Sequence, residues 1–151
     1  RIALLLSSLN SNEVEDILRR MKASKKVITR SKKLHFLIHN TPETHDLRIY
    51  RNELGDEVST HINLRETIGE DTSLIVKSLQ YPTEVNCLID GDWLMGKTGL
   101  SPGIKLGRLK DWLFRIQIER GYTEVSQIET ALCTTSWTHG DPNDWPKPKW
   151  P

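Results

Sequence analysis

Cysteine is scarce in this 151-residue chain. Cys87 and Cys133 stand far apart and outside any CxxC spacing, so neither a disulfide framework nor a thiolate zinc site is expected. Both are expected to be small buried residues. No apolar run is long enough to span a bilayer and no secretory leader is legible, which predicts a cytoplasmic protein with no membrane partner. Net charge is nearly absent as well, with 21 Lys and Arg against 20 Asp and Glu. Any attraction to a polyanion must therefore come from where cations cluster, not from their total. Internal repeats and low-complexity tracts are missing. So are a phosphate-gripping GxxxxGK[ST], a nucleophile with its base, and paired carboxylates on a strand. No catalytic residue is assigned, and no metal site.

What remains is ordinary globular texture. Hydrophobic residues make up 36% and charged residues 27%, enough to bury one core and too apolar for wholesale disorder. Helical periodicity dominates, so the fold class expected is all-α: a compact bundle of about six to eight short helices, with an extended Trp/Pro-rich tail. Residues 1–80 read as a helical body, 81–133 as a second helical subdomain around a Pro-Gly turn, and 134–151 as the tail. The chain opens at Arg1 within an apolar segment, without an initiating Met, and is expected to be a fragment of something longer.

Ser11 or Asn12 can cap the first clear helix, with Glu15 completing a capping box, and Val14, Ile17, Leu18 and Met21 supply its stripe. Arg19, Arg20, Lys22, Lys25, Lys26, Arg30, Lys32 and Lys33 follow with no acid among them, opposite an apolar side of Val27, Ile28, Leu34, Leu37 and Ile38. Asn40-Thr41-Pro42 ends that helix. A third is predicted from about Glu43 to Leu54, stopped by Gly55, and a fourth over Val58 to Ile68. Ser73 to Gln80 fits strand or helix and is read as helix from its neighbours. Pro102-Gly103 forms a sharp turn that starts a long helix at about Ile104, with Leu106, Leu109, Leu113 and Ile116 on one face and Gly121 as its end. The last helix runs from about Thr123 to Cys133. Trp137, Trp145 and Trp150 stand among prolines, which favours an extended tail. Those rings can buttress the body or stack on unpaired bases, and buttressing is the commoner use.

Two basic groups can hold phosphates: the run from Arg19 to Lys33, and Lys105, Arg108 and Lys110 at the start of the long helix, where the dipole is already positive. The competing reading of each is a solvated helix face. Gly107, one turn into the helix, permits close approach of a ligand or, more commonly, of a neighbouring helix. His35, His39, His61 and the His45-Asp46 pair superficially match metal-dependent HD phosphohydrolases. However, Pro42 interrupts the chain and no second Asp follows, so exposed or half-buried imidazoles are expected. Asp90 and Asp92 share the DxD spacing of metal-binding transferases, but precede a helix-like WLMGK and read as N-terminal capping.

Ile89-Asp90-Gly91-Asp92-Trp93-Leu94-Met95, then Leu100-Ser101-Pro102-Gly103, then Leu106-Gly107-Arg108-Leu109-Lys110 and a final helix fall in one order. That order resembles the C-terminal part of class II CCA-adding tRNA nucleotidyltransferases and the related bacterial poly(A) polymerases. The N-terminal RIALLL and VEDILRRMKASKKV are similar to helices of the same family, so the likeness runs from about Arg1 to Cys133. The family's catalytic head is not on this chain, and its HD-like signature is missing where RIALLLSSL would carry it. The resemblance implies a region that grips the acceptor and T-arm backbone of tRNA, with an N-terminal catalytic head in the same polypeptide. Mg2+ and nucleoside triphosphates would bind only in that head, and no cofactor is implied for this chain. The RNA-binding residues implied are Lys25, Lys26, Arg30, Lys97, Lys105, Arg108 and Lys110. Leu100 to Ile104 also resembles the hairpin of DNA-binding helix-hairpin-helix domains, although Lys105 stands where that motif has its second Gly. A structural helical domain that dimerises through an apolar face is the third reading.

Overall fold

The computed structural model describes residues 8–134, whose regular structure is all helical, with no strand among them. The first apolar segment and the tryptophan-rich tail lie outside the described residues. The elements are α1 (Ser11–Arg20), α2 (Lys25–His39), α3 (Leu47–Leu54), α4 (Val58–Thr67), α5 (Ser73–Val76), α6 (Gly91–Thr98), α7 (Ile104–Arg120) and α8 (Val125–Thr134). Single 3-10 turns at Thr44–Asp46, Gly55–Glu57 and Lys77–Gln80 join or extend them.

The cap of α1 is Asn10, not Ser11 or Asn12. Its side chain accepts from the amides of Asn12 and Glu13, each at 3.1 Å, and the Glu13 carboxylate accepts from the Asn10 amide at 2.8 Å. Two N-x-x-E frames compete here, and Glu15 is unavailable to the second because it pairs with Arg19 and Lys32. The helix expected from Glu43 starts later: a 3-10 turn, closed by the Glu43 amide on the Asp46 carboxylate at 3.0 Å, precedes α3. Asp90 accepts from the Trp93 amide at 2.8 Å and caps α6, as its spacing predicts.

Among the described residues three apolar clusters hold the helices. Val14, Leu18 and Ile28 join α1 to α2. The largest takes Leu34 and Leu37 of α2, Ile49, Tyr50 and Leu54 of α3, Val58 and Ile62 of α4, and Ile118 from the end of α7. The third packs Leu94, Leu106, Leu109, Leu113, Ile128 and Leu132 of α6, α7 and α8. At 17 residues α7 is about 25 Å long, and it is the element shared by the second and third clusters. The segment between α5 and α6 is held by side chains instead of a ladder: Gln117 accepts from the Leu88 amide at 3.1 Å and donates to the Asn86 carbonyl at 2.8 Å.

Both cysteines are exposed, contrary to expectation. Cys87 lies on the irregular segment, its thiol against the Ile89 carbonyl, and Cys133 lies in the last turn of α8, off the Ile128–Leu132 stripe. Gly107 is also exposed, and a Cβ there would meet nothing within 4 Å among the described residues, so no neighbouring helix in that set uses the space.

Candidate nucleic-acid interface

The cationic run of α1 and α2 is divided by its ion pairs. Arg19 and Lys32 share Glu15, Arg30 meets Glu57 at 2.9 Å, and Lys33 meets Glu53 at 3.2 Å. Arg20, Lys22, Lys25 and Lys26 are exposed and have no acidic partner among the described residues. They crowd the turn between α1 and α2. That turn precedes the N-terminus of α2, where Ser24 caps only the Val27 amide, at 3.3 Å, and no acid occupies the first turn. The dipole and the first backbone N–H groups of α2 thus add to the field of the side chains. Lys25 and Lys26 stand opposite the buried Ile28–Ser31–Leu34–Ile38 stripe, and Arg30 stands on its flank. They line one shallow groove with Thr29, Lys33 and the two glutamates of the 50s.

The second group does not form one face. An α-helix turns about 100° per residue, so Lys105 and Arg108 stand on one flank of the buried Leu106–Leu109–Leu113 stripe and Lys110 on the other. Arg108 is exposed, while Lys105 and Lys110 are half-buried. Gly103 gives α7 no side-chain cap. Lys97 pairs with Glu129 of α8 at 2.5 Å and lies 5.8 Å from the Trp93 ring centroid, so its charge is tied to the α6–α8 contact. The residues expected to bind RNA therefore fall in separate places. Lys25, Lys26 and Arg30 sit where α1 meets α2, and Lys97, Lys105, Arg108 and Lys110 sit around the third cluster.

The histidines differ from expectation in burial. His35 and His61 are inside the protein, at 2% and 0% exposure, and His39 and His45 are exposed. The His35 and His39 rings lie 4.8 Å apart, His61 shares a 2.5 Å hydrogen bond with the Tyr50 hydroxyl, and His45 lies near Glu43 and Asp46. No group of three His, Cys, Asp or Glu side chains converges as a metal site would among the described residues. Burial, helped by the nearby Arg65 charge, holds His61 down to about 4 from its ordinary 6.5. Burial likewise pushes the Tyr50 phenol up.

Sequence reasoning passed over Arg65. It is 1% exposed, and its Nη2 donates to the carbonyls of Leu37 and Ile38 and to the Thr41 hydroxyl at 2.8–2.9 Å, while Nη1 pairs with Glu70. This guanidinium closes the C-terminus of α2, whose last carbonyls Pro42 leaves without helical partners. The signal was the unsatisfied helix end at Asn40-Thr41-Pro42; nothing local to Arg65 marks it as the donor.

The chain matches no known protein family, no characterised protein and no solved structure. No helix among the described residues is long and apolar enough to cross a membrane.

Proposed function

We propose that this chain is an RNA-gripping helical region of a tRNA nucleotidyltransferase of the CCA-adding or poly(A)-polymerase type. It holds the acceptor and T-arm backbone while an N-terminal head, with its Mg2+ and nucleoside triphosphates, performs the addition. The observation that carries the reading is the set Arg20, Lys22, Lys25 and Lys26, unpaired among the described residues, beside the N-terminus of α2. Cations left without acids, next to free helix amides, form a surface for phosphates that follows backbone shape and not base identity. Lys105 and Arg108 supply a second contact at the start of α7.

Binding of tRNA by the double variant Lys25→Ala/Lys26→Ala tests this. Affinity falls about tenfold at moderate salt, equally for different tRNAs, and the slope of log affinity against log salt becomes shallower by about one to two. Unchanged affinity removes the α1–α2 turn from the interface. Equal competition by plain duplex DNA would instead favour the α6–Pro102–Gly103–α7 hairpin as a DNA-binding unit.

A further inference from the structure

A cavity of about 180 Å3 lies between α3 and the C-terminal end of α7, with Tyr81, Val85, Ile118 and Tyr122 among its walls and Arg48 and Glu84 as its charged groups. It is roomy enough for a small organic molecule and not merely for a single water. Arg48 is positioned by contacts that leave its donors unused among the described residues. Its Cζ lies 4.4 Å from the Tyr81 ring centroid. The guanidinium also packs over Gly121, where a Cβ would fall 2.5 Å from Nη1 and 2.6 Å from Cζ. Gly121 is therefore required twice, for its left-handed φ of 64° at the end of α7 and for the space Arg48 fills.

Among the described residues no oxygen accepts from Arg48 and no carboxylate reaches ion-pair distance. Several polar groups around it are engaged. Arg51 donates to the carbonyls of Tyr81 and Gly55, Arg120 to the Tyr122 hydroxyl, and the Gln117 amide bridges Leu88 and Asn86. Among the described residues Arg48 alone presents an open planar fork to the cavity.

We propose that this cavity is a binding site for a small organic carboxylate, separate from the RNA surface. A carboxylate matches the fork of Arg48 with two parallel hydrogen bonds, and an apolar body packs on Val85 and Ile118. Glu84, on the same cavity and unpaired among the described residues, sets the charge preference. It tolerates one negative charge on Arg48 but repels the nearly double charge of a phosphate monoester.

Titration of the 15N-labelled 151-residue chain with sodium 3-methylbutanoate, followed at the Arg48 Nε–H and Gly121 amide signals, tests the assignment. Both signals shift saturably, and 3-methylbutanamide and inorganic phosphate bind about tenfold or more weakly. Arg48→Gln and Arg48→Lys each lose about tenfold or more, since neither retains the charged fork. Glu84→Gln narrows the gap between carboxylate and phosphate. The site is disproved if the carboxylate gives no saturable shift, if amide and acid bind alike, if phosphate binds the wild type more tightly, or if Arg48→Gln leaves the shifts intact.

Discussion

At the scale of single residues, the polar groups inside the protein decide how it responds to pH. His61 is fully enclosed and hydrogen-bonded to Tyr50, and stays neutral down to about 4 in the fold, whereas the unfolded chain takes up the proton near 6.5. Between those values the unfolded state binds more protons, so stability is intact above 6.5 and falls as pH drops towards 4. The loss approaches about 3 kcal/mol from this group. Thermal melts from pH 7 to pH 4.5 check it: the wild type loses stability along this window, and His61→Gln, though less stable at pH 7, loses less. Arg65 acts at the same scale. Removing it strips the donors from the end of α2 and leaves Glu70 unpaired, so Arg65→Ala costs about 3 kcal/mol in denaturant unfolding, and Arg65→Lys recovers only part because one ammonium cannot reach every acceptor. A midpoint within experimental error of the wild type would show that the cap is dispensable. Neither residue was legible beforehand. Arg65 sits in VSTHINLRET among polar neighbours, and its burial is imposed by the end of another helix 24 to 28 positions earlier.

At the scale of elements, the sequence was most readable where local chemistry decides alone. Gly121, Gly55 and Asp90 end or start helices where their conformations and side chains dictate. The start of α1 was displaced by one or two residues because Asn10/Glu13 and Asn12/Glu15 offer the same local geometry, and only the long-range ion pair of Glu15 with Lys32 separates them. Substitution distinguishes the two frames: Asn10→Ala destabilises by about 1 kcal/mol, while Asn12→Ala is nearly neutral. Equal effects would contradict the assignment. The stripe Leu106–Leu109–Leu113 was visible as period and is the buried face observed. Its flanking cations were also visible, but the helical turn that sets Lys110 apart from Lys105 and Arg108 emerges only once the stripe is known to face α6 and α8.

At the scale of the molecule, α7 ties the α6–α8 cluster to the larger one through Phe114 and Ile118. A defect in one cluster is therefore felt in both. Leu109→Ala, at a site of zero exposure, lowers stability by about 3 kcal/mol and does so in a single transition, read by far-UV circular dichroism and tyrosine fluorescence together. Two separated transitions would mean that α7 does not couple them. The candidate interface was half legible for a related reason. The acid-free run from Arg19 to Lys33 announces its charge, but Glu15, Glu53 and Glu57 arrive from elsewhere in the chain and neutralise half of it. What remains unpaired among the described residues, at the α1–α2 turn, is the part on which the RNA-gripping reading rests. Amide hydrogen exchange of the 151-residue chain with and without tRNA tests that reading most directly. Slowed exchange concentrated over residues 20–28, lost on raising the salt, is the result predicted; no slowing on adding tRNA, or slowing confined to α8, would contradict it.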